Sequence, residues 1–236
     1  MAIIMSKTVG IIGGMGPEAT LDFMSRIMKN TPATEDQDHI RMIIENNPQI
    51  PSRQNAIEGT GDDPGAKIAL IAARLEDAGV DFLVMPCNLA HVWQKEIESA
   101  VRIPFVSIVD QLVHAVLTVN KGKGNIGLMT TPGCFRAGIY QEALAKSGKN
   151  LILQTPDELS ETMIFVERIK SGDKSQEVRI GLQGLANKII DRGAEILIAA
   201  CTEFPLVLNK SMFTVPFISS TEVLAEKTVA IALEDY

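Results

Sequence analysis

Aromatic side chains are scarce in this sequence: one Trp, two Tyr and eight Phe make up 5% of its 236 residues. A platform on which bases or sugar rings could stack is therefore not suggested. Cysteine is also scarce, with three residues, too few for a disulfide framework in a chain of this size. Positive charge is in deficit, 22 Lys and Arg against 29 Asp and Glu, for a net charge of −7. That balance, with an isoelectric point near 5.1, offers no basic footprint to nucleic acid or to an anionic membrane. No apolar run reaches the ~18 residues that a membrane span needs. The amino-terminal stretch Met1-Ala-Ile-Ile-Met-Ser-Lys7 is too short for a signal peptide and lacks its charged-then-apolar order. The expected location is the cytoplasm, where the cysteines remain thiols available for packing, metal binding or catalysis.

What is present is a hydrophobic fraction of 46%, enough for one large core or two small ones. Short apolar runs alternate with amphipathic stretches. Lys7–Ile12, His39–Glu45 and Asp81–Met85 read as strands. Pro17–Lys29, Ala66–Gly79 and Asn88–Ala100 read as helices, the second with Ile68, Ile71 and Leu75 on one face and Gly79 as its stop. Fully apolar strands alternating with helices predict an α/β chain whose sheet is mostly parallel and covered on both faces.

The chain also resembles itself. Asp77-Ala-Gly-Val-Asp-Phe-Leu-Val-Met-Pro-Cys-Asn88 returns as Asp191-Arg-Gly-Ala-Glu-Ile-Leu-Ile-Ala-Ala-Cys-Thr202, at an ungapped offset of 114 residues. Each copy follows an amphipathic helix, marked in the second by Val178, Leu182, Leu185 and Ile189. Matched strands follow the cysteines, Ile103–Ser107 and Val215–Ser219. Earlier in each half a strand opens on a Gly- or Thr-rich turn, at Val9–Gly16 and Asn125–Gly133. Two duplicated α/β domains are therefore expected, the first at residues 1–108 plus 222–236 and the second at 109–221. Related by a pseudo-two-fold, they would aim Cys87 and Cys201, at the carboxyl ends of equivalent strands, into a common cleft that forms the active site.

Several chemistries compete for these cysteines. Buried packing is the plainest. A metal site could draw on Cys87 and His91, spaced i,i+4, with Cys201, but no CxxC or HxxxH pair appears and His39 and His114 lack matching partners. His91 suits a role orienting a neighbouring group, and Cys134, without a counterpart in the first half, is read as structural. A nucleophilic hydrolase needs one cysteine with a His or Asn/Asp partner and gains nothing from a symmetric second. Paired thiols suit two-sided proton transfer, in which one takes a proton from one face of a carbon while the other returns a proton to the opposite face. Helix N-termini following each cysteine are expected to favour thiolate, with Asn88 and Thr202 donating hydrogen bonds to an anion. A rival signal is Gly14-Met-Gly-Pro-Glu-Ala19, a GxGxx(G/A) turn between strand and helix, with Glu45 beyond it. Glu45 lies farther along than the usual ~20 residues of a dinucleotide fold, and the turn could equally offer N–H groups to a carboxylate.

Taken together, Gly13-Gly-Met-Gly-Pro-Glu-Ala-Thr20, Asn46-Asn-Pro-Gln-Ile-Pro51, Met85-Pro-Cys-Asn-Leu-Ala-His91 and Ala200-Cys-Thr-Glu-Phe-Pro-Leu206 resemble the segments of aspartate racemases, within the PLP-independent aspartate/glutamate racemase superfamily. The likeness runs from Lys7 to near the C-terminus with its motifs in order. It implies two pseudo-symmetric α/β domains, no cofactor, an amino-acid substrate and a homodimer. By the same likeness Cys87 and Cys201 match the paired catalytic cysteines, Cys201 serving the L-isomer and Cys87 the D-isomer. Met15, Asn88, Thr130, Thr131, Thr202 and Glu203 fall where the family contacts substrate. Arg53 and Lys170 match residues that engage substrate carboxylates, although Lys170 taken alone reads as a solvated helix end. One departure stands out: Leu89 replaces the Thr common after Cys-Asn, removing a hydroxyl and adding apolar bulk. Within the superfamily, a maleate-isomerase-like or decarboxylase-like activity is the alternative. A non-catalytic ligand-binding module is a further one.

Overall fold

A computed structural model of the chain describes residues 6–119, 124–145 and 147–234. Met1–Met5, on which part of the signal-peptide argument rests, lie outside the described residues. The chain divides into two compact units, Met1–Ile108 with Glu222–Tyr236, and Val109–Thr221. Among the described residues no helix is long and apolar enough to cross a membrane.

The first unit runs β1 (Val9–Gly13), α1 (Pro17–Asn30), β2 (Met42–Asn46), α2 (Arg53–Glu58), α3 (Gly65–Asp77), β3 (Phe82–Val84), α4 (Gln94–Ala100) and β4 (Phe105–Val106). Helix α5 (Ile108–Val119) carries the chain into the second unit. There follow β5 (Ile126–Met129), α6 (Pro132–Arg136), α7 (Ile139–Ala145), β6 (Leu151–Leu153), α8 (Pro156–Lys170), α9 (Gln176–Asp191), β7 (Ile196–Ala199) and β8 (Phe217–Ser219). Helix α10 (Ser220–Leu233) returns it to the first unit. Each unit holds one four-stranded sheet, in the order β2-β1-β3-β4 and β6-β5-β7-β8, with every pairing parallel. The α/β reading holds, and the repeat seen in the sequence is a repeat of strand order.

Burial explains the composition of the strands. The two inner strands of each sheet, β1, β3, β5 and β7, are buried along their whole length and are almost wholly apolar. Edge strands β2 and β6 are half-buried. Helix α3 lays Ile68, Ile71, Ala72 and Leu75 over β1, β2 and β3, and α9 lays Val178, Leu182, Leu185, Ala186 and Ile189 over β5 and β7. Each large side chain among them stabilises by about 2 kcal/mol on burial. Both helices stop at a glycine with positive φ, Gly79 at 82° and Gly193 at 95°, a backbone state in which a Cβ is strained. The chain then enters the sheet in the same way twice. Asp81 N–H donates to the Thr8 carbonyl at 2.8 Å, and Glu195 N–H to the Asn125 carbonyl at 2.9 Å.

The structure departs from the expected helix at Asn88–Ala100. Leu89–Trp93 form a 3₁₀ turn, and α4 starts only at Gln94. The tighter turn buries Leu89, Ala90, His91 and Trp93 together, a near-continuous run of inward side chains that one face of an α-helix cannot supply.

The close packing around the inner strands depends on glycines in β1 and β5. A Cβ on Gly127 would stand 2.6 Å from Ile189 Cγ2 and 2.8 Å from Ala194 Cβ; one on Gly10 would meet Leu83 and Val80 as closely. Gly127→Ala is therefore expected to destabilise the protein by about 1–3 kcal/mol. Urea unfolding would show a lower midpoint, and an unchanged midpoint would contradict this packing.

Candidate active site

Strand order decides where chemistry can sit. In the first unit the chain leaves β1 to form β2 on one side, then returns to form β3 on the other. The loops after β1 and β3 thus diverge at the carboxyl edge of the sheet, where parallel α/β sheets open a ligand crevice. Met15 follows β1, and Cys87 with Asn88 follows β3. Met15 and Cys87 pack in one apolar cluster with Ile12, Ile50 and Trp93. The second unit repeats the arrangement. Thr130 and Thr131 follow β5; Cys201, Thr202 and Glu203 follow β7. Ala200 N–H donates to the Met129 carbonyl at 2.9 Å, and the Thr130 hydroxyl donates to the Ala200 carbonyl at 3.4 Å, tying the two loops together. Cys87 and Cys201 are equally buried, each 7% exposed.

His91 sets the Cys87 loop. Its Nε2 accepts the Ile108 N–H at 3.0 Å, so Nδ1 carries the proton and donates it to the Cys87 carbonyl at 2.8 Å. The ring stacks at a tilt against Phe105, with centroids 5.4 Å apart. Burial pushes its pKa down to about 4, so the ring is neutral at pH 7. Both nitrogens are engaged, which answers the reading of His91 as a metal ligand beside Cys87. Among the described residues no group of three or more His, Cys, Asp or Glu is placed to hold a metal ion.

The second cysteine has a different neighbour. Cys201 Sγ–H donates to Glu203 Oε2 at 3.0 Å, and the Thr202 hydroxyl donates to the same oxygen at 3.3 Å. Glu203 Oε1 is buried with no hydrogen-bond partner among the described residues, and Lys170 Nζ stands 3.9 Å from it. Burial, then the Glu203 carboxylate, pushes the Cys201 thiol well above its ordinary range, with Lys170 opposing. This corrects the expectation that a following helix would favour thiolate. Cys201 is followed by the short 3₁₀ turn Phe204–Leu206 and Cys87 by another, so neither faces the amino end of a long helix. The Thr202 hydroxyl is likewise turned to Glu203.

The remaining sequence-derived residues divide by unit. Arg53 opens α2 after the β2 loop and spends Nη1 on the carbonyls of Ile50 at 3.1 Å and Pro51 at 2.8 Å, bracing the proline-rich turn. Lys170 does end a helix, with its side chain 40% exposed, yet it also reaches Glu203. The glycine turn after β1 is filled from within the chain. Gly14 N–H donates to Thr20 Oγ1 at 3.0 Å, and a Cβ on Gly14, at φ 95°, would collide with the Asn47 backbone. The need for glycine there is met by the chain's own close approach.

The model of the family described as Asp/Glu/Hydantoin racemase matches residues 12–228. The chain belongs to this family. A broad specificity amino-acid racemase, RacX, of Bacillus subtilis (strain 168) is 31% identical over 231 residues, covering 95% of this chain and 98% of that one. A Picrophilus torridus aspartate racemase has a structure with a TM-score of 0.85 at 30% identity, over 95% of this chain and 94% of that chain. An aspartate racemase homologue from Pyrococcus horikoshii OT3, at 24% identity and a TM-score of 0.75 over 97% of this chain and 100% of that chain, shares the fold.

Two supports of the candidate site leave no mark in the sequence. Gln154, in the turn between β6 and α8, accepts the Thr130 N–H at 2.7 Å and donates to Thr162 of α8 at 2.7 Å, fixing the loop after β5. Nothing in the sequence around Gln154 marks it, because its partners lie at distant positions. The link from His91 to Ile108 was equally hidden, although the i,i+4 spacing from Cys87 pointed at the ring.

A pH test follows from His91. Its folded pKa lies below its unfolded value near 6.5, so the unfolded chain binds the extra proton and stability falls as pH drops from 6.5 towards 4. Wild type should lose about 2 kcal/mol more than His91→Gln between pH 7 and pH 5. Urea unfolding of both proteins at the two pH values measures the difference; equal losses would mean that His91 is not buried neutral.

Proposed function

We propose that this protein racemises amino acids without a cofactor, with acidic amino acids as its first substrates, and that Cys87 and Cys201 each serve one face of the α-carbon. One observation carries the reading: a cysteine stands after the third strand in each of two sheets of the same strand order. Family membership and the names of the relatives support the reaction class. In one sense of turnover the C–H bond breaks and an S–H bond forms at one sulfur, while S–H breaks and C–H forms at the other. Reversal exchanges the roles.

Asn88 provides an amide beside the first thiol, while Met15, Thr130 and Thr131 line the strand ends next to the cysteines. Lys170 and the unspent nitrogens of Arg53 would take the carboxylates, the planar guanidinium being suited to a forked contact. The Lys170–Glu203 pair would hold the second loop until an anionic substrate competes for the ammonium. Leu89 supports a wider substrate range than aspartate alone, in keeping with the broad specificity named for the Bacillus relative. Cysteines kept outside any disulfide fit a reducing cytoplasm, and the family likeness favours a homodimer.

In heavy water, wild type should convert either enantiomer of aspartate or glutamate into its mirror image carrying solvent deuterium. Cys87→Ala and Cys201→Ala should each lose about 10²–10⁴-fold in kcat. Chiral chromatography measures both, and wild-type racemisation by either single variant would end the two-thiol proposal. Leu89→Thr should raise kcat/KM for aspartate relative to an apolar amino acid by about tenfold, one hydrogen bond's worth. An unaltered ratio in a full amino-acid screen would remove Leu89 from specificity.

A further inference from the structure

The repeat aligns Asp77–Asn88 with Asp191–Thr202, and one position beyond it the two loops differ in charge. At the 114-residue offset, Glu203 of the second loop answers to Leu89 of the first. Leu89 is buried and apolar. Glu203 is buried too, at 4% exposure, and one of its oxygens receives the Cys201 S–H at 3.0 Å. Its other oxygen has no hydrogen bond among the described residues, and the charge that offsets it is Lys170 at 3.9 Å, from the end of α8. A thiol at Cys201 therefore satisfies the carboxylate. A thiolate there would set two negative charges at hydrogen-bond distance in a buried site, where charge repulsion is poorly screened.

We propose that Glu203 makes the two thiols inequivalent: it holds Cys201 as the proton-bearing thiol of the resting enzyme and leaves Cys87 as the thiol that ionises first. Glu203 is thus a positioning residue that acts through Cys201, and the proposal rests on the two-thiol reading above. The resting form has one proton on the pair, at Cys201. Turnover from it moves the substrate α-proton to the Cys87 sulfur and the Cys201 proton to the α-carbon. What remains is Cys87 as thiol and Cys201 as thiolate beside Glu203, the less stable form. Solvent restores the resting form by protonating Cys201 as Cys87 releases its proton to water, so atoms and charges balance. Turnover in the opposite sense must start from the less stable form. Because the equilibrium constant of a racemisation is one, kcat/KM is the same in both directions, and the inequivalence appears in kcat and KM separately.

The ionisation order can be read without turnover. Wild type is treated briefly with iodoacetamide across a range of pH, and alkylation at each cysteine is quantified by mass spectrometry; each cysteine is judged by the pH midpoint of its own labelling curve, which does not require equal access to the two sulfurs. Cys87 should be labelled with a lower pH midpoint than Cys201. In Glu203→Gln the Cys201 midpoint should fall by about one unit or more, which is about tenfold faster labelling at a fixed pH below it. Leu89→Glu, which places a carboxylate in the first loop, should raise the Cys87 midpoint by a similar amount. An unmoved Cys201 midpoint in Glu203→Gln, or labelling of Cys201 before Cys87 in wild type, overturns the proposal. If Glu203→Gln does not fold, the wild-type order and Leu89→Glu decide it. Should the labelling shifts appear while no amino acid is racemised, the inequivalence stands and the racemase reading falls.

Discussion

The pairing of β1 with both β2 and β3, and of β5 with both β6 and β7, is the constraint on which the rest of the site depends. A first strand held between its two successors cannot leave the sheet in the same direction as the third. Their loops must part at the carboxyl edge, and the residues after those strands share whatever space opens there. Met15 and Cys87 meet in one cluster for this reason, and Thr130 is bonded to Ala200 for the same one. Burial of the inner strands makes the arrangement stiff. With VGIIG and ILIA enclosed on both faces, the strand ends that position the cysteines are fixed by packing.

Much of this was legible in the residues. Asp77–Asn88 and Asp191–Thr202 share register because helix stop, left-handed glycine and buried strand impose the same types at the same spacing, and the structure supplies the matching hydrogen bonds at Asp81 and Glu195. The stripe at Val178, Leu182, Leu185 and Ile189 lies inside the core as its period of 3.6 required. What could not be read was the contact chemistry between distant positions. Gln154 meets Thr130, and His91 meets Ile108, through hydrogen bonds that leave no local pattern. The helical reading of Asn88–Ala100 failed where burial of His91 and Trp93 overrode periodicity.

The expectation of a thiolate failed at Cys201 for a related reason. A cysteine at a strand-to-helix junction gains from the helix only when a long run of aligned peptides follows. Here each cysteine precedes a 3₁₀ turn of one or two windings, whose field is small beside that of a buried carboxylate at 3.0 Å. At Cys201 burial, and after it the adjacent Glu203 carboxylate, oppose ionisation.

A reaction that treats both faces of a carbon alike does not ask the enzyme to be alike on both sides. It asks that one group be basic while the other is acidic. Two identical loops would leave those assignments equal in energy, and a large share of the molecules would rest in the form that the arriving enantiomer cannot use. A single carboxylate in one copy of a duplicated loop lifts that equality, because the penalty on a thiolate beside it falls on one sulfur alone. Leu89 and Glu203 supply such a difference within a strand order that is otherwise repeated. On the two-thiol proposal, duplication would supply the pair of thiols, and the divergence at Leu89 and Glu203 would set the order in which they act.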